Sequence, residues 1–225
     1  MKLKAVGIAA PLTLFSIGWC GPARAEPIDV PINVGVGPAG FMLNGAAGVA
    51  QPLYYGVKLD MAAIIDQSTI ARYKNRIPAQ YQAIAQSVGE ARVGMLYIPD
   101  ALILSPGVDS SFYGATWRPV NVGIGLLQTP RLEVGAGLVG TIAYLTSRRM
   151  ASPTVFIRPG VDLGASLEFS LNPAFHLKLG WDQQAYIPQK LGGAITELGS
   201  GAESLWLMGQ PYLELDFRFP YRANI

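Results

Sequence analysis

Between residues 154 and 187 the chain alternates apolar and polar side chains for longer than a soluble strand requires. Val155, Ile157, Pro159, Val161, Leu163, Ala165, Leu167, Phe169 and Leu171 fall on one face, and Arg158, Asp162, Ser166 and Glu168 with intervening glycines fall on the other. Soluble strands average about five to six residues. About ten alternating residues, tilted at about 45°, cross the hydrocarbon of a bilayer. A break at Asn172 and Pro173 then splits the stretch into two strands, so the pattern predicts a membrane-spanning hairpin.

The same period of two recurs elsewhere. Strands are expected over 32–43 and 53–61, over 111–127 and 131–145 joined by Gln128-Thr129-Pro130, and over 205–219. In 111–127 the register of Val120, Val122 and Ile124 would carry Arg118 to the apolar face, and a bulge near Pro119 or a strand end there resolves the conflict. Seven strands are counted this way. A barrel with both termini on one side needs an even number, and 92–104 is the best eighth, although Pro99 weakens it. Counted back from the end, the short turns at Gln128 and Asn172 then share a side with the termini, and the longer loops at 147–153 and 188–203 lie on the other.

From 66 to 91 the period changes to threes and fours. Asp66 is placed to cap, Ile70, Tyr73, Ile77, Tyr81, Ile84, Ala85 and Val88 form a stripe, and Pro78 can open a second helix. This predicts a short helical insertion on the side of the termini, either packed over the barrel mouth or serving as a lid or docking element.

The first 25 residues read as an export signal: Lys2 and Lys4, an apolar run, and Ala23-Arg24-Ala25 before Glu26. Residues 26–225 are then the expected barrel domain. Cys20 opens a lipoprotein alternative, which the bulk of Trp19 disfavours. Loss of the leader removes Lys2, Lys4 and Arg24 from the 17 basic residues, leaving 14 against 15 acidic ones, so no nucleic-acid footprint is expected. The single cysteine also goes, which excludes a disulfide or a thiolate site. Half of the chain is hydrophobic and only 14% is charged, yet no apolar run after the leader is long enough for a spanning helix. Lipid-facing strands account for both facts; a secreted soluble β-sandwich is the alternative.

The last strand sets Leu205, Leu207, Pro211, Leu213, Leu215, Phe217 and Phe219 against Trp206, Met208, Gln210, Tyr212, Glu214, Asp216 and Arg218, close to the C-terminus. It resembles the terminal strand of Gram-negative outer-membrane β-barrel proteins, with the departure that Pro220 to Ile225 follow the final aromatic residue. The resemblance implies an all-β fold, an antiparallel transmembrane barrel of about eight strands, in the outer membrane, with outer-membrane lipids, lipopolysaccharide and the barrel-assembly machinery as partners, and a monomer.

The polar faces predict a charged lumen built from Lys58, Asp60, Arg131, Glu133, Arg158, Asp162, Glu168, Lys178, Asp182, Glu214, Asp216 and Arg218. Paired across strands, these plug the barrel and leave it a structural or surface-interaction role; alternatively they line a narrow channel for small polar solutes. A lipid-modifying enzyme is the third reading. His176, the only histidine, shares the inward side with Lys178 and Asp182 on its own strand and Ser166, Ser170 and Glu168 on the adjoining one, but no nucleophile-elbow motif accompanies it. No cofactor or metal is expected, since one histidine and no cysteine leave a transition metal few ligands. Arg148 and Arg149 suit lipopolysaccharide phosphates or plain solvation, and Tyr144, Trp181, Tyr186 and Trp206 are expected at the membrane interfaces.

Overall fold

A computed structural model describes residues 28–44, 53–73, 78–94, 99–148, 154–188 and 205–223. The expected signal peptide, Arg149 and most of the two longer loops lie outside the described residues. The chain forms β1 (Ile28–Asp29), β2 (Ile32–Asn44), β3 (Tyr54–Asp66), α1 (Gln67–Tyr73), α2 (Ala79–Ser87), β4 (Val88–Gly94), β5 (Ala101–Ser105), β6 (Ser110–Leu126), β7 (Arg131–Ser147), β8 (Thr154–Ser170), β9 (Phe175–Tyr186), β10 (Trp206–Phe219) and β11 (Arg222–Ala223). Every strand pairing is antiparallel, and β2 pairs with both β3 and β10, so the sheet closes on itself.

β4 and β5 are two pieces of one strand. Both lie between β3 and β6, with β4 against 62–66 of β3 and β5 against 56–58. Asp100 resumes the ladder after Pro99: its N–H donates to Thr116 O at 2.8 Å and its carbonyl accepts from Leu59 N at 2.8 Å. The barrel therefore has eight strand positions, and the expected eighth strand over 92–104 is present, starting earlier at Val88, with 95–98 outside the described residues. Pro99, which has no N–H to give to a ladder, stands just before Asp100.

Two register shifts re-aim side chains. Trp117 pairs with Gly140 but Val120 with Leu138, so Arg118 and Pro119 together oppose one residue of β7. This is the bulge expected near Pro119, and it turns Arg118 inward while Trp117 and Val120 stay outside, 48% and 51% exposed. A second shift between Val88 and Glu90 accompanies the inward, buried Glu90.

The outward rows match the alternation. Leu163 is 67% exposed, Ile142 60% and Leu179 56%. β6, β7 and β8 each run 17 residues, more than the about 9–11 that a tilted spanning strand uses. A continuous apolar exterior of this size, wrapped around a polar interior, inverts the arrangement of a soluble protein. The molecule is an antiparallel transmembrane β-barrel. Aromatic side chains mark both rims: Tyr113 and Tyr144 are directly paired on the outside near the loop end, and Phe175, Phe217 and Phe219 stack in a row at the other, with centroids 5.1 and 5.9 Å apart. Trp181 also faces out. Tyr186 and Trp206 do not: each is 1% exposed and points into the barrel, which corrects their placement at an interface. Their even register with Asp182 and Glu214 already puts them on the inward rows.

The helical insertion is two short helices rather than a stripe reaching residue 91. Asp66 caps α1 by accepting from Thr69 N at 2.8 Å, and Pro78 stands at the N-cap of α2. Val88 belongs to β4, because the chain must re-enter the ladder with Glu90 facing inward. The side chains of 79–83, Gln86 and Ser87 in α2 are exposed, Tyr81 at 52%, so these residues do not cover the barrel mouth. The insertion leaves from the rim that carries the termini and the short turns at Gln128 and Asn172, where Asn172 Oδ1 accepts from Ala174 N and Phe175 N at 2.9 and 3.0 Å. The tail after Phe219 has a use of its own: Arg222 and Ala223 pair with Asp29 and Ile28, and Val30 N donates to Tyr221 O at 2.7 Å. It clasps the N-terminal lead to the end of β10.

If the outer band meets lipid, Leu163→Arg lowers the unfolding free energy in liposomes by about 2–4 kcal/mol. The same change at an exposed site of a water-soluble protein stays within about 0.5 kcal/mol. Denaturant titration of the barrel in vesicles separates the two.

Candidate functional site

The interior divides along the barrel axis. Toward the loop end, Phe41, Tyr54, Ile103, Phe112, Leu145 and Trp206 are buried together with smaller apolar neighbours into a stopper. Tyr54 and Phe112 meet edge to face at 5.0 Å, and the Arg158 guanidinium lies 4.3 Å from the Trp206 ring centroid. Just beneath, Gln184 Nε2 donates to Gln210 Oε1 at 2.9 Å, and the Tyr186 hydroxyl donates to Gln184 Oε1 at 2.6 Å. Toward the terminal rim the interior is ionic. The lumen is thus not polar throughout, as the alternation alone implied: in 39–43 and at the starts of β3 and β10 both faces are apolar, and the inner one fills the barrel.

The ionic part has three contiguous groups. In the one nearest the stopper, Lys58 bridges Asp100 and Asp182 at 2.7 and 2.8 Å, and Arg118 reaches Asp100 at 3.1 Å, Asp162 at 3.2 Å and Asp182. Thr116 donates to Asp100 at 3.2 Å. In the middle group Arg92 contacts Asp60, Glu133 at 2.8 Å and Asp216 at 3.8 Å, and Lys178 contacts Asp216 at 2.8 Å and Glu133 at 3.2 Å. Nearest the terminal rim, Arg218 forks onto Glu90 at 3.0 and 3.1 Å and onto Glu168 at 2.6 Å, while Arg131 joins the same two carboxylates. Asn33 accepts from Arg218 at 3.4 Å and donates to Asp60 at 3.2 Å, linking this group to the middle one.

All twelve residues expected in the lumen point inward, and eleven join these ion groups or flank them; Arg158 stands apart under the stopper. The alternation missed Glu90, Arg92, Asp100 and Arg118. Arg118 was hidden by the bulge, Glu90 by the apparent helical stripe, and Arg92 and Asp100 by the break in their strand. Each is an ionisable residue inside a membrane span, which is itself the signal that marks an inward position.

A cavity of about 70 Å³ opens between the upper and middle groups, lined by Lys58, Arg118, Asp162, Lys178, Tyr212 and Glu214 among others. It is roomy enough for ordered water. Tyr212 closes its upper side by lying across Gly180, where a Cβ would meet the ring at 2.3 Å; only glycine admits the aromatic there.

The histidine has no nucleophile. His176 Nδ1 sits 2.9 Å from Glu168 Oε1 without hydrogen-bond geometry, its Nε2 has no hydrogen-bond partner, and the Ser166 hydroxyl donates to Glu133 at 3.4 Å instead. The Ser–His–acid constellation is not assembled. Two carboxylate triplets, Asp60 with Glu214 and Asp216, and Glu90 with Glu133 and Glu168, each bring one oxygen per residue within 4.8 Å of the others. On the rim, Arg148 pairs with Asp109 at 3.3 Å, both side chains 70% exposed.

No protein-family model matches the chain, and no curated protein matches it. Solved structures similar to it include Neisserial surface protein A (12% identity, TM-score 0.45, over 84% of this chain and 97% of that one). Ail, the attachment invasion locus protein of Yersinia pestis, matches at 12% identity and TM-score 0.45 over 85% of this chain and 100% of its own. The outer membrane protein OprG from Pseudomonas aeruginosa matches at 10% identity and TM-score 0.42 over 87% of this chain and 98% of its own.

Arg118 joins three aspartates from three strands. Arg118→Met leaves three aspartates to Lys58 alone and is expected to cost about 3–5 kcal/mol in denaturant unfolding. Arg148→Met, in a solvated pair, changes unfolding by less than about 1 kcal/mol.

Proposed function

We propose that this protein is a small outer-membrane β-barrel with a filled lumen, which serves as a membrane-embedded scaffold and meets its partners through its surface and rims rather than by conducting solutes. The observation that carries this reading is the stopper. Phe41, Tyr54, Tyr186 and Trp206, each at most 1% exposed, close the loop end of the interior above a cross-linked ionic plug. An eight-position barrel has an interior just wide enough for side chains, and here aromatic rings and ion pairs occupy it. The cavity of about 70 Å³ between the ionic groups is lined by paired charges rather than by an open bore. A transmembrane exterior and a chain that reads as exported favour the outer membrane, with lipopolysaccharide and the barrel-assembly machinery as the expected partners and a monomer as the expected state.

The enzymatic reading is the weaker one, because neither ring nitrogen of His176 hydrogen-bonds a hydroxyl, Ser166 and Ser170 donating to Glu133 and to Asn172 O instead. The channel reading would need the stopper to move. In planar bilayers the purified barrel is expected to give no steady single-channel current. Regular openings that persist in the wild-type protein would overturn the filled-lumen reading. A heat-modifiable shift on gels, expected for a folded barrel, shows that the tested sample is native.

A further inference from the structure

The middle ionic group is out of balance. Among the described residues, Asp60, Glu133 and Asp216 pair with two cations, Arg92 and Lys178, and Glu214 beside them pairs with none, a formal surplus of two carboxylates inside a membrane barrel. By contrast the group at the terminal rim is neutral, with Arg131 and Arg218 against Glu90 and Glu168. A surplus of this size at such depth is costly unless something neutralises it.

The surplus centres on Glu214. It is 2% exposed, its Oε1 is buried without a hydrogen-bond partner, and no described cation lies within ion-pair distance of it. It does not turn toward Lys58 or Lys178 but toward two other carboxylates, so that oxygens of Asp60, Glu214 and Asp216 all lie within 4.8 Å of one another. The backbone makes room for this convergence. A Cβ on Gly35 would stand 1.7 Å from Glu214 Oε1 and 2.2 Å from Asp216 Oδ1, so β2 presents a bare backbone where the carboxylates meet. Asp60 and Glu214 also line the water-sized cavity, which places solvent ligands beside them.

We propose that the barrel binds one calcium-sized divalent cation between Asp60, Glu214 and Asp216. The donors are all carboxylate oxygens, the set that hard cations take. Two oxygens ligating one calcium at about 2.3–2.6 Å lie at most about 5 Å apart, and the three oxygens here lie within 4.8 Å of one another. A dication cancels the surplus of two, and the cavity supplies the water that completes its shell. Glu90, Glu133 and Glu168 converge as closely, but Arg131 and Arg218 already neutralise two of them.

The test uses the purified barrel, refolded with calcium present, and equilibrium dialysis against radioactive calcium. The expected result is about one calcium per chain and a higher melting temperature with calcium than with a chelator. Glu214→Gln should weaken binding at least tenfold while the barrel stays heat-modifiable. Asp60→Asn serves if that variant does not fold, and Asp109→Asn, at the exposed rim, should bind as the parent does. A folded barrel that takes up no calcium at millimolar concentration has neutralised the site with protons and overturns the proposal, as does a Glu214→Gln variant that binds like the parent.

Discussion

A backbone that crosses lipid must satisfy every N–H and C=O within itself, and this chain does so by pairing β2 with β10. The rest follows from that closure. Once the sheet has no edge, each strand has one face in hydrocarbon and one in a space too narrow for bulk water, so the sequence must put apolar residues outside and find partners for everything inside. The alternation along β7, β8 and β9 is the consequence at the sequence level. The ionic groups and the aromatic stopper are the two ways this chain fills the space.

These two fillings differ in what they demand of the sequence. An apolar stopper needs only volume, and its members at the loop ends of β2, β3, β6, β7 and β10 touch as a cluster without special geometry. The ionic part needs partners at set positions, and the chain obtains them through irregularities. The Pro119 bulge brings Arg118 to three aspartates, and the shift before Glu90 accompanies a carboxylate that receives Arg131 and Arg218. A perfectly regular barrel of this sequence would have sent Arg118 into lipid.

That is also why the fold was more legible than the lumen. A period of two held over 17 residues names the inside and outside of β7 and β8 without ambiguity, and Asn172 and Asp66 mark their turn and cap by side-chain chemistry local to the sequence. The residue type of Tyr186 and Trp206 suits an interface as well as a core, and only their register with Asp182 and Glu214 turns them inward. A helical spacing through Val88 does not disclose that the chain has already returned to the sheet. Bulges, breaks and the choice between two apolar destinations are settled by neighbours on other strands, such as Asp100, Asp162 and Asp182 around Arg118.

The position of the charge along the barrel bears on assembly as well as on stability. With the stopper at the loop end, the half of the strands that carries ion pairs lies toward the rim of the termini, where β1 and β11 tie the chain ends together. Breaking any one of the lumenal pairs leaves a buried charge with no solvent to receive it, so the network resists opening as a unit. The stopper carries a smaller penalty, because a side chain that leaves it for the loop end loses buried area and at most a neutral hydrogen bond or a cation–π contact, not an ion pair. Any path into this lumen therefore starts at the loop end, past Trp206 and Tyr54, and stops at the first ionic group, where Lys58 and Arg118 hold three strands' aspartates across the bore.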